Sequence, residues 1–202
     1  MNVRLKYDMM FIAGVYYGNE LRMNTYNLRL WLTTNSTEPA THNIAFERLK
    51  YFVYHELDST ILINSEHQEK CQQYARAGLK ITTMPGEPVD QLVGLMLYYK
   101  LNAIAEDRMI IDETEISSSM GDNMTYLHCS GETTSIEYSP DWWMTPDTVH
   151  CDHELINSDN VVIMPQFNGW RDLDLDWPGE TVAEETGNIV VFADFKRDDD
   201  TK

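Results

Sequence analysis

The chain has 202 residues, 43% of them hydrophobic, and a formal net charge of −18. That length supports one domain, or one domain with an elaborated extension, and the apolar share is enough for a sizeable core. The charge would repel a phosphate backbone, which argues against direct nucleic-acid binding and favours plain solubility or a basic protein partner.

The acidity is uneven. From Gly131 onward there are 17 Asp and Glu against 4 Lys and Arg, whereas the first 130 residues carry 16 against 11. No run has the length of a transmembrane helix. The opening MNVRLKYDMM lacks the long apolar stretch of a signal peptide. Cys71, Cys129 and Cys151 are too few and too oddly numbered for a disulfide framework. A cytoplasmic protein without membrane contact is the expectation.

Met9 to Tyr17 and Asn24 to Thr33 read as two strands, with Tyr26, Leu28, Leu30 and Leu32 alternating against Asn27, Arg29 and Trp31. Gly18-Asn19 marks the turn between them. The polar stretch TTNSTEPATHN reads as a loop. A helix follows from about Ile44 to Glu56, then a short apolar strand at Thr60 to Ile63. Glu66 to Ala77 reads as a second helix with Gly78 as its C-terminal cap, and Leu79 to Thr83 as a short strand. Pro85 and Pro88 open a further helix whose apolar face carries Leu92, Val93, Leu95, Met96 and Tyr99. Arg108 to Ser117 and Met124 to Cys129 form a last strand pair.

Beyond that pair the sequence changes character. Four of the five tryptophans lie here, at Trp142, Trp143, Trp170 and Trp177. Val161 to Met164 and Ile189 to Phe195 read as strands. Residues 1–130 are expected as the main domain, 131–195 as an acidic, Trp-rich extension packed on it, and 196–202 as a disordered tail.

Four landmarks in the first part occur in one order: Phe46, Leu49-Lys50 and Leu57-Asp58; Ile63-Asn64; Pro85-Gly86-Glu87; and Ile110-Ile111-Asp112-Glu113-Thr114. In this they resemble the tunnelling-fold family of 6-pyruvoyl-tetrahydropterin and 6-carboxytetrahydropterin synthases. The resemblance implies an α+β fold: an antiparallel sheet with two main helices on one face, closed into a ring of subunits by pairing of sheet edges. It also implies a zinc ion held by three histidines. Those positions fall in Gly14-Val15-Tyr16 and Arg22-Met23-Asn24, and no histidine precedes His42. The family's catalytic Asp-His pair reads Asp58-Ser59 here, and its catalytic Cys has no counterpart. No cofactor and no lyase chemistry are therefore expected.

In the family, the Glu after the aliphatic strand grips the ring edge of a pterin or purine, since a carboxylate accepts two hydrogen bonds from adjacent donors. Glu113 and Thr114 match that motif, and Asp58 and Glu87 belong near them by the same analogy. The other reading of Glu113 is an ordinary acidic residue at a strand end. His150, Cys151 and His153 form the one compact group of metal-type side chains; a relocated zinc site and a plain polar loop are the two readings. Trp142-Trp143 reads as an anchor for the extension or as a platform for a ligand.

Three functions stand on the sequence. The first is a non-catalytic tunnelling-fold homo-oligomer that binds a pterin- or purine-like heterocycle or a protein partner. The second is a synthase or lyase of pterin or 7-deazaguanine metabolism with a relocated metal site. The third is an acidic interaction protein that docks a basic surface; a whole-chain resemblance to uncharacterised cyanophage proteins would make it viral.

Overall fold

The computed structural model describes residues 4–35, 37–129, 141–146 and 169–178. The expected strands at Val161–Met164 and Ile189–Phe195 and the 196–202 tail lie outside these residues. Two long strands, β1 (Arg4–Tyr17) and β2 (Glu20–Thr34), form a hairpin. Its two-residue turn is Gly18-Asn19, both with positive φ (58° and 66°). That geometry matches the natural twist of paired strands, which is why Gly and Asn occupy it. Both strands start several residues before the expected Met9 and Asn24: in β1, Leu5 and Tyr7 continue the inward alternation of Met9, Phe11 and Ala13, and in β2 the two-residue turn sets Glu20 to Met23 opposite Tyr17 to Gly14.

Helix α1 (Pro39–Tyr51) begins earlier than Ile44. Pro39 stands in its first turn, where a missing N–H costs nothing, so part of the expected loop is helical. The chain then widens into a π-helical turn, Phe52–Leu57. Next come β3 (Ile61–Asn64), α2 (Gln68–Arg76) and β4 (Ile81–Met84). They are followed by α3 (Asp90–Ala105), β5 (Met109–Ser118) and β6 (Thr125–Cys129). A short helix, α4 (Asp141–Met144), and a single 3₁₀ turn at Trp170–Leu173 complete the described elements.

The architecture is α+β around one six-stranded sheet of order β4-β3-β1-β2-β5-β6. β1, β2, β5 and β6 are antiparallel neighbours. β3 and β4 add to β1 in parallel, as the two strands of a β-α-β unit. The sheet is therefore larger than the four antiparallel strands alone.

α1 and α3 cover one face. Beneath them lie Met9, Phe11, Tyr26, Leu28, Leu30, Leu32, Ile111 and Ile116, packed with Leu49, Val93, Met96, Leu97 and Leu101. α2 packs on the opposite face, where Cys71 and Ala75 meet Tyr16, Ile61, Ile63 and Ile81. Trp143, Trp170 and Trp177 are buried in the main core. Among the described residues, no helix is long and apolar enough to cross a membrane.

Candidate functional site

The face of β1, β2, β5 and β6 turned away from α1 and α3 carries most of the described charge network. Along β1 the register aligns Arg4 with Thr33, Lys6 with Trp31 and Asp8 with Arg29. β5 then aligns Glu115 with Arg29 and Glu113 with Trp31. Arg29 is the hub: it donates to Asp8 at 2.7 Å and to Glu115 at 2.8 Å. The hydrogen bond from Arg29 holds the Asp8 carboxyl below its ordinary range. Trp31 donates its indole N–H to Glu115, and the Arg4 guanidinium lies 4.8 Å from the Trp31 ring centre. A groove of about 390 Å³ runs between Asp8, Asn27, Arg29, Glu115, Ser117 and Thr125.

A bulge shapes this face. The β2–β5 register slips between Trp31 and Leu32, leaving Asp112 as the extra residue. A bulge puts two successive side chains on one side of a strand. Asp112 accepts from the Thr33 hydroxyl and Glu113 from Arg4, so Asp112, Glu113 and Glu115 all share the open face. Thr114 points the other way. It is buried under α3, and among the described residues its hydroxyl has no hydrogen-bond partner.

Glu113 is a quarter exposed, and its ion pair is with a half-exposed Arg4 at 3.2 Å. Asp58 sits elsewhere. Its Oδ1 accepts from the Ile12 amide at 2.9 Å and its Oδ2 from Ser59 at 3.1 Å. Ser59, the residue standing at the family's catalytic His position, is exposed with φ of 63°. Glu87 closes the far end of β3. Its Oε1 accepts from Asn64 at 3.1 Å and lies 3.2 Å from His67 Nε2.

These four residues do not converge within one chain. Ile12, where Asp58 docks, and Lys6, level with Glu113, are six residues apart on β1. That separates Asp58 from Glu113 by roughly 20 Å along the strands and about 14 Å across them. Asp58 and Glu87 lie at opposite ends of β3.

The two segments aligned with the family's zinc ligands do come together. Gly14 pairs with Met23 and Val15 with Arg22 across the hairpin. The side chains there offer no metal donor set: Leu21 and Ile61 fill the space over Gly14, Val15 is in the core, and the Asn24 oxygen accepts from Ser119 and from the Met120 amide. A zinc ion in the family's manner does not fit these residues. Among the described residues, no three His, Cys, Asp or Glu side chains are grouped to hold a metal. His150, Cys151 and His153 lie outside the described residues.

Sequence reasoning passed over Arg4, Arg29 and Trp31 as site residues. The alternation of β2 was a usable signal, since Arg29 and Trp31 fall opposite the inward Leu28, Leu30 and Leu32.

No protein-family model and no curated protein matches the sequence. Among solved structures, an uncharacterised protein from Wolinella succinogenes aligns over 64% of this chain and 99% of its own, with TM-score 0.46 and 9% identity. The 6-pyruvoyl tetrahydropterin synthase from Plasmodium vivax aligns over 63% of this chain and 97% of its own, with TM-score 0.43 and 12% identity. That of Plasmodium falciparum gives 63%, 96%, 0.39 and 12%. The likeness is one of chain path alone, and nothing about chemistry or ligand follows from it.

Proposed function

We propose that this chain performs no lyase chemistry and acts as a homo-oligomeric binding protein, with a pterin- or purine-like heterocycle gripped by Glu113. The observation that carries the reading is the state of the Glu113 carboxylate. It is accessible on the open face, and its partner is a half-exposed Arg4. An exposed pair of this kind contributes about 0–1 kcal/mol. A ring edge with two adjacent N–H donors would form charge-assisted bonds of roughly twice the strength of neutral ones and displace it. Asp58 and Glu87 are committed to contacts in their own chain. Only a second copy would bring an equivalent of either to Glu113, so the heterocycle reading rests on assembly.

Titration calorimetry with pterins and guanine tests this. Binding is expected for the unmutated protein, and Glu113→Ala is expected to weaken it about 30- to 150-fold with the fold intact. Absence of binding by the unmutated chain removes the heterocycle reading. A partner with a basic surface would then remain, and the acidic residues from Gly131 onward are the ones to substitute in its test.

A further inference from the structure

Of the described parts of the tryptophan-rich extension, α4 packs on α3, where Trp143 stacks on Tyr99, and the 169–178 segment docks at the junction where α1 passes into its π-helical turn. Arg48, one turn before the junction, is buried between two indoles, 4.8 Å from the Trp170 ring centre and 3.9 Å from that of Trp177. Its Nε donates to the Leu175 carbonyl at 2.7 Å and its Nη1 to Glu106 at 2.8 Å. Trp177 donates its own N–H to the other Glu106 oxygen at 2.9 Å. Tyr51, the last residue of α1, meets Trp170 edge-on. Phe52, the first residue of the π turn, lies beneath the Lys100 ammonium, which donates to the Trp142 and Thr145 carbonyls. The α1 side of the junction is thus held directly by the 169–178 segment, and Phe52 is reached through Lys100 of α3.

The other end of the π turn enters the sheet. The Asp58 amide bonds to the Val53 carbonyl, five residues back. Asp58 then accepts from the Ile12 amide, the Ser59 amide donates to the Ile12 carbonyl, and the Gly14 amide donates to the Thr60 carbonyl. π turns are rare and persist only where something holds them. Relaxing this one to α-helix would bond Asp58 to Tyr54 in place of Val53. It would carry Asp58 roughly 100° around the helix axis, off the edge of β1.

We propose that the 169–178 segment is a tie that fixes the pitch of this turn, and through it the seat of Asp58 on β1. The extension and the sheet edge are then mechanically coupled: loosening the tie frees the edge of β1 at Ile12.

Amide hydrogen exchange on the full chain tests the coupling. Trp177→Ala is expected to speed exchange at Ile12 and Asp58 at least about tenfold while the amides of β2 keep their rates. Trp177→Phe, which keeps a ring over Arg48, is expected to restore most of the protection. Should the alanine variant fail to fold, Glu106→Gln takes its place, since it weakens the hold on both Arg48 and Trp177 without a change of volume. Unchanged rates at Ile12 and Asp58 would overturn the proposal. So would equal acceleration throughout the sheet, which would mean that the tie supports the core and nothing more local. None of these readouts depends on a heterocycle.

Discussion

Asp58 shows how a residue that looks like chemistry can be committed to backbone. Its carboxylate stands where β3 has not yet begun and accepts the Ile12 N–H that a strand residue would otherwise take. Lys80 braces the same spot by donating to the His55 and Asp58 carbonyls at 2.7 and 2.8 Å. Asp58→Ala is expected to cost about 1 kcal/mol, the modest value of a partly exposed hydrogen bond. Asp58→Asn, which keeps an acceptor, should cost less, and urea denaturation of the three proteins gives the ranking. An alanine variant as stable as the parent would mean that water serves Ile12 equally well. This role was not legible in the sequence, because the partner lies 46 positions away. The Leu-Asp motif announces Asp58 without saying what it touches. Glu113 was legible as a strand-end carboxylate, yet its neighbours depend on a bulge at Asp112 that no local pattern marks.

At the scale of elements, the contact of α3 with β5 and β6 turns on Gly94. A Cβ there would lie 2.6 Å from Ile116 Cγ2 and 2.8 Å from His128 Nε2. Alanine would gain about 1 kcal/mol of helix propensity. Overpacking of a closed core typically costs about 1–3 kcal/mol, so Gly94→Ala is expected to be destabilising on balance. A lower midpoint in chemical denaturation checks it; a higher one would show that α3 shifts outward at little cost. The element inventory was largely readable. Alternation in Tyr26, Leu28, Leu30 and Leu32 marked β2, Gly18-Asn19 marked its turn, and Gly78, with φ of 76°, follows α2 as a cap should. What was not readable is the direction of β3 and β4 and the side taken by α2. Ile61, Leu62 and Ile63 are all buried, so they carry no alternation from which a face or a partner could be inferred.

For the whole molecule, the sheet edges matter most. Outward amides alternate along β1: those of Ile12 and Gly14 are taken by Asp58 and Thr60, and by the same alternation Lys6, Asp8 and Met10 present theirs away from β2. Among the described residues, β3 meets β1 at Gly14 and Val15 alone. At the opposite side β6 is the last strand of the sheet among the described residues. Unpaired edges invite strand addition. Copies joined β1 to β6 would form the ring expected for the assembly. Sedimentation is expected to show an oligomer at micromolar concentration. Met10→Pro, which removes an outward N–H and leaves the β1–β2 ladder in place, should give a folded monomer. A monomeric parent, or an unchanged oligomer for the variant, would count against these edges as the joint. The β-α-β unit then acquires a second meaning. Because it occupies β1 from Ile12 onward, an incoming five-residue β6 has only Arg4 to Phe11 to align with. The unit would act as an end-stop that limits how far one subunit can slide along the next, and so sets how many copies close the circle.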